Sequence, residues 1–327
     1  MISYIIKRLF QIIPAILITS FIIYFSMNLT GGDPAMIIAG DKATPERIEE
    51  VRVQYGFDKP VFIQYLKYMG GLLKGDLGIS YVTNNDVFKS FMERLPATLE
   101  LSFASVFLAV LISLPLGIYT AINQNTWKDN TGMAFALFGV SMPNFWLGLM
   151  LILLFSQQLG WFPSSGRRDG IASLVLPAIT VGLGLAALIT RTTRSSMLDV
   201  IRQDYMRTAR AKGASNQDVI IKHALPNALI PIITVIGLQL SNVLTGSVLV
   251  ETVFAWPGVG RLVFDSISKR DTPMVTGAII LCSILMVLAN LLVDVVYAFF
   301  DPRIKAQYMK KGRKHGSSKS ETHEERI

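Results

Sequence analysis

Residues 99–122 read LELSFASVFLAVLISLPLGIYTAI, a run whose one charge, Glu100, stands at its start. An α-helix rises about 1.5 Å per residue and the hydrocarbon layer of a bilayer is about 30 Å thick, so about 20 apolar residues cross it. This run is long enough, and it lacks the polar and apolar alternation of a barrel strand. Working outward, five further runs of the same kind lie at 9–29, 133–156, 174–190, 228–250 and 275–299. Lipid offers no water to an open sheet edge, so every backbone polar group must be satisfied within its own span. The fold class expected is an all-α polytopic membrane protein with six transmembrane helices.

The composition agrees. Of 327 residues, 51% are hydrophobic and 17% charged, with a mean hydropathy of +0.45; two or three soluble domains of this length would be more polar. The single cysteine, Cys282, lies in an apolar run, which excludes an internal disulfide framework and a Cys-rich zinc site. The first run follows Lys7 and Arg8, is longer than a signal-peptide core, and is followed at Thr30-Gly31-Gly32 by no small-x-small cleavage pattern, so it is expected to be retained.

A net charge of +8 suggests nucleic acid until the charges are placed. With the amino terminus inside, the cytoplasmic segments hold Lys7 and Arg8, then Lys128. Next come Arg191, Arg194, Arg202, Arg207, Arg210, Lys212 and Lys222, and last the tail from Arg303 onward. That is the positive-inside arrangement of a multi-pass plasma (inner) membrane protein, with both termini cytoplasmic. The segment 31–96 holds both signs in near balance and is expected outside. Four regions result: an amino-terminal span (1–30), an extracytoplasmic cap (31–96), a core of five spans (97–300), and a basic cytoplasmic tail (301–327) too polar to bury a core.

Within the cap, Thr44 precedes Pro45 as an N-cap, and a second short helix opens at Pro60. Pro14, Pro115, Pro143, Pro177 and Pro231 interrupt the spans. Around Pro143 the stretch from Gly139 to Asn144 sets Ser141 and Asn144 beside the break. It reads either as a packing kink or as lining for a translocation path. On the outer side Glu251 leads into Trp256-Pro257-Gly258, a rigid turn with an aromatic residue. It reads as an interfacial anchor, or as part of an outer gate or of the surface that receives a solute-binding protein. Glu100 and Asp294 lie near span ends and mark no proton relay. His223, His315 and His323 are scattered and define no metal site.

The stretch between the fourth and fifth runs, residues 204–231, reads DYMRTARAKGASNQDVIIKHALPNALIP. It is expected as two short cytoplasmic helices, the first ending at Gly213 as a left-handed cap and the second starting at Ser215 with Asp218 at N3. Tethered to spans at both ends, it leaves no third helix or dimer geometry for a DNA groove, so no nucleic-acid partner is expected.

This segment resembles the membrane subunits of binding-protein-dependent ABC importers, whose signature is EAA, three residues, Gly, nine residues, Ile-x-Leu-Pro. Gly213, Leu225, Pro226 and Ala209 match, while Arg207, Thr208 and His223 stand where the general pattern has Glu, Ala and Ile. RTARAKG followed by HALPNALIP resembles the dipeptide, oligopeptide and nickel permease group. So, in order, do Gly32-Asp33-Pro34-Ala35, Tyr55-Gly56-Phe57-Asp58-Lys59-Pro60, Gly75-Asp76-Leu77-Gly78, Arg94-Leu95-Pro96-Ala97-Thr98-Leu99-Glu100, the stretch 250–260, and Asp301-Pro302-Arg303. The cap points to the first of the two paired permeases.

The resemblance implies a channel-forming subunit that is not an enzyme. Its partners are a homologous second permease, two ATPase subunits, an extracytoplasmic solute-binding protein, a peptide substrate and membrane lipid. The chain has no GxxxxGK[ST], so it carries no cofactor of its own, and ATP and Mg are bound by the partner ATPases. Docking is assigned to Arg207, Arg210, Lys212 and Gly213, with Ala209 and Ala211 as close-approach positions and Leu225 and Pro226 completing the motif. Nickel or a metal chelate is the alternative solute. An ion-coupled secondary carrier would need an intramembrane relay and more spans, and a membrane protease would need a partner to activate Ser141.

Overall fold

The computed structural model describes residues 2–29, 33–40 and 42–300. The tail 301–327, with Asp301-Pro302-Arg303, His315 and His323, lies outside the described residues, as do Gly31 and Gly32 and the side chains of Lys7 and Arg8.

The regular secondary structure of the described residues is helical, apart from one isolated bridge between Ile79 and Asp86. Five helices are long and apolar enough to cross a membrane. They are α1 (Ile2–Leu29), α5 (Val87–Ile122), α8 (Ile171–Ile201), a helix over 216–244 and α14 (Thr272–Phe300). The expected span 133–156 is not one helix. It divides into α6 (Trp127–Ser141) and α7 (Asn144–Leu151), which continues in π-helical form to Gln158, and the two halves meet at 95°. Counting this bent pair as one span gives six. The cause is local: Pro143 pushes the residue before it out of the helical region, and Met142 has φ −90° and ψ 131°. Pro14, Pro115, Pro177 and Pro231 sit inside unbroken helices, so of the five expected interruptions only Pro143 breaks the chain.

The fifth expected span, 228–250, is displaced toward the amino terminus. Helix α10 (Asn216–Asp218) runs through a π-helical turn, Val219–Ala224, into α11 (Leu225–Leu244). It ends just before Gly246, whose φ of +99° turns the chain into a separate short helix, α12 (Val248–Val253). Helix α13 (Val259–Ser268) precedes α14.

The centre of the molecule is α5 packed against α8, flanked by α11. Small residues let the backbones approach: a Cβ on Gly182 would lie 2.9 Å from the Ser105 carbonyl oxygen. Ser105, Thr180 and Thr193 are buried here, and each donates its hydroxyl to the carbonyl four residues back in its own helix, at 2.7 to 2.8 Å. Near the start of α6, Arg194 of α8 grips Asp129 with two bonds of 2.7 and 2.6 Å. The Asp129 side chain is only 3% exposed, so this pair fixes the α6 end to α8.

Helix α1 packs on α14 and on the short helix α4 (Val61–Leu72). The remaining small helices are α2 (Pro34–Ala39) and α3 (Pro45–Tyr55), tied together by the Arg52 to Asp33 ion pair. Thr44 caps α3 as expected, accepting from the Arg47 N–H at 3.4 Å, whereas Pro60 is the N-cap residue of α4 rather than its first helical residue. Helix α5 starts at Val87, with the Asp86 carboxylate accepting from the Lys89 N–H at 2.8 Å. It therefore runs straight through residue 96, where the cap was expected to end.

Candidate functional site

Three places gather the residues that sequence reasoning singled out. The first is the stretch after α8. Helix α9 (Asp204–Ala211) is polar except for Met206, which is fully buried in a cluster with Met197 of α8, Ala121 of α5, and Val219, Ala224, Ala228 and Ile232 of the helix that follows. One long apolar side chain thus seats a polar helix on three spans. Arg207, Arg210, Ala211, Lys212 and Gly213 are exposed, Ala209 and Leu225 pack half-buried on the Met206 cluster, and Pro226 is exposed. Gly213 has φ +85° and closes α9, its N–H reaching the Arg210 carbonyl at 3.0 Å. Ser215 then caps the next helix. Its Oγ accepts from the Asp218 N–H at 3.1 Å and donates to Asp218 Oδ2 at 2.7 Å. That second helix is not the short one expected from the sequence: it continues without a break to Leu244. The π-helical turn falls just before Pro226, which has no N–H to give the preceding turn. Arg210 also lines a cavity of about 350 Å³ with Arg202, Gln124 and Asn216.

The second place is the loop after α11. Trp256 is not an interfacial anchor. Its ring is fully buried and its Nε1–H donates to the Ala97 carbonyl of α5 at 2.8 Å, a bond that headgroup exposure would replace with water. Glu251 is buried with it. The carboxylate accepts from the Thr98 hydroxyl at 3.0 Å, from the Arg261 N–H at 2.8 Å and from the Gly260 N–H. Thr98 in turn accepts from the Val259 N–H at 2.8 Å. Burial pushes the Glu251 carboxyl above the usual range, against the pull of those donors. Gly258 belongs to this cradle for a steric reason: a Cβ there would lie 2.4 to 2.5 Å from the carboxyl atoms of Glu251. Pro257 fixes the turn between them. Near this loop Arg167 donates its Nε–H to Glu100 at 2.6 Å and stands 6.0 Å from the Trp256 ring.

The third is a cavity of about 450 Å³ at the α6 to α7 break, lined by Val140, Met142, Asn144, Gly184, Asn242 and Ser247 among others. Asn144 lines it. Pro143 makes the break without lining the cavity, and Ser141 is exposed with its Oγ returned to the Leu137 carbonyl at 3.0 Å. Sequence reasoning missed Asn242, Gly246 and Ser247, although SNVLTGS is a polar interruption at the end of an apolar run. It also missed Met206, whose signal was isolation in a polar helix.

Among the described residues no group of three or more His, Cys, Asp or Glu is placed to hold a metal. Helix α8, α9 and the helix of 216–244 pack on one another through the Met206 cluster.

Comparison with known proteins gives this architecture a family. Residues 1–102 match the family described as the amino-terminal part of binding-protein-dependent transport system membrane components. The chain is 43% identical over 305 residues to the glutathione transport system permease protein GsiC of Salmonella paratyphi A (strain ATCC 9150 / SARB42), covering 93% of this chain and 99% of that protein. The same figures hold for GsiC of Escherichia coli (strain K12). In fold it is similar to an inward facing structure of the MetNI methionine ABC transporter, with a TM-score of 0.55 and 24% identity over 65% of this chain and 96% of that one. Residues 113–306 match the family described as the binding-protein-dependent transport system inner membrane component, and the chain belongs to that family of multi-pass permease subunits.

Proposed function

We propose that this permease subunit pairs with a homologous second permease to form the path for a peptide-class solute, and that α9 and Gly213 couple that path to two ATPase subunits. The peptide assignment rests on the name of its relatives, glutathione permeases that match over 93% of the chain. The 450 Å³ cavity at the α6 to α7 break, with Asn144, Asn242 and Ser247, supplies a short polar stretch to such a path. The buried Glu251 and Trp256 cradle braces the outer mouth, where a solute-binding protein delivers. Both termini and α9 lie on the cytoplasmic side, and α2 to α4 cap the opposite face, as the positive-inside distribution of Lys and Arg requires. ATP and Mg are held by the ATPases.

One observation carries the coupling role: a helix with a basic, exposed outer face is bolted through Met206 to three spans. A push on that face reaches the spans through the Met206 contact, and the helix it bears on runs on from Asn216 to Leu244. Replacing Gly213 with Val tests this. A branched side chain at φ +85° shifts the docking helix while membrane insertion is untouched. Copurification with the ATPase subunits and ATP-driven uptake are expected to fall together; normal recovery of the complex with normal uptake would reject the role.

A further inference from the structure

A cavity of about 680 Å³ lies outside everything described so far, between the outer third of α1, helix α4 and the loop that leads into α5. Its inner wall is aromatic. Tyr24 and Tyr68 stand 5.8 Å apart between ring centroids, and Phe57 meets Tyr81 edge-on at 5.6 Å. The Tyr68 hydroxyl is sealed from solvent, so Tyr68 serves this wall through its ring. Both signs of charge line the same cavity. Lys59 and Lys67 form no ion pair with a described residue. Asp76 and Asp86 each spend one oxygen on a backbone N–H, of Gly78 and Lys89 at 2.8 Å, leaving a second oxygen outside those bonds.

The position of the cavity narrows the ligand. Tyr24 stands near the end of α1 at Leu29, and Pro273, which also lines the cavity, stands at the start of α14. Two membrane-crossing helices therefore end at this level, which puts the cavity in the headgroup layer rather than in the hydrocarbon. One turn before Tyr24 on the same face, Phe21 is exposed and extends the apolar wall down α1. The ammonium donors of Lys59 and Lys67 together with free carboxylate oxygens of Asp76 and Asp86 fit a group that carries an anionic phosphate and a primary ammonium. We propose that this cavity is a lipid site that takes the phosphoethanolamine headgroup of a phospholipid, with phosphate on Lys59 and Lys67, ammonium on Asp76 and Asp86, and the acyl chains along α1.

The test uses the full chain in nanodiscs that contain phosphatidylethanolamine or phosphatidylcholine beside phosphatidylglycerol, followed by detergent extraction and native mass spectrometry of retained lipid. Choline carries the same phosphate but no N–H, so the wild type is expected to retain phosphatidylethanolamine over phosphatidylcholine by about tenfold. Lys59→Gln and Lys67→Gln change exposed residues and are expected to lower retention of both lipids, whereas Asp76→Asn with Asp86→Asn, which keeps an acceptor for the Gly78 and Lys89 N–H groups, is expected to abolish most of the preference. Equal retention of the two lipids by the wild type, or a preference unchanged in the Asp76→Asn, Asp86→Asn variant, overturns the site. A free zwitterionic dipeptide carries similar charges. If dialanine binds the wild type in detergent and no phosphatidylethanolamine is retained, the lipid assignment is overturned in favour of a soluble zwitterion.

Discussion

Gly213 and Gly258 mark two turns at opposite ends of α11, and they are glycine for opposite reasons. At Gly213 a Cβ would meet nothing within 4 Å, but the backbone stands at φ +85°. At Gly258 φ is −94°, open to any residue, but a Cβ would strike the Glu251 carboxyl. The first turn faces outward and keeps its charges on the surface; the second faces inward and consumes its charge in hydrogen bonds to its own fold. The difference separates an element built to meet a partner from one built to hold a shape.

Substitutions at the two turns should therefore read out in different assays. Gly258→Ala is expected to be the most damaging, because the new methyl must displace a buried carboxylate from its three donors. A loss of about 3 kcal/mol or more, seen as a collapse in thermal midpoint and yield in detergent, is anticipated. Next comes Met206→Ala, which empties the socket beneath α9 at a cost of about 3 kcal/mol and weakens both folding and ATPase recruitment. Gly213→Ala should cost only about 1 kcal/mol in stability, yet reduce recovery of the ATPase complex. Smallest in stability is the double reversal Arg207→Glu with Arg210→Glu. It is expected to leave the stability within about 0.5 kcal/mol of the wild type while abolishing ATPase copurification. If that double variant instead unfolds the protein, or if Gly258→Ala is tolerated, the contrast between the turns is wrong.

Much of this was legible in residue order. The all-helical membrane-spanning class, the interruption at Pro143, the Gly213 cap and the Ser215 to Asp218 cap all follow from rules that act within a few residues. What escaped depends on contacts across the chain. Trp256 next to Pro-Gly looks like a membrane-surface anchor until Ala97, far off in sequence, supplies a carbonyl for its indole N–H. Glu251 looks like an ordinary loop acid until Thr98 and the backbone at 260 and 261 converge on it. The helix of 216–244 was divided at the wrong end because polar residues such as Lys222 and His223 resemble a loop in hydropathy, although they form the water-facing turns of a span. Gly246 ended the span for a backbone reason that hydropathy does not register.

The direct test of the coupling role is labelling of the single cysteine of an Ala211→Cys, Cys282→Ala variant, on the exposed face of α9, with a membrane-impermeant maleimide. The account predicts no labelling in intact cells, labelling in inverted vesicles stripped of ATPase subunits, and protection when those subunits are restored. Labelling from the outside of intact cells, or no protection by the ATPases, would contradict it.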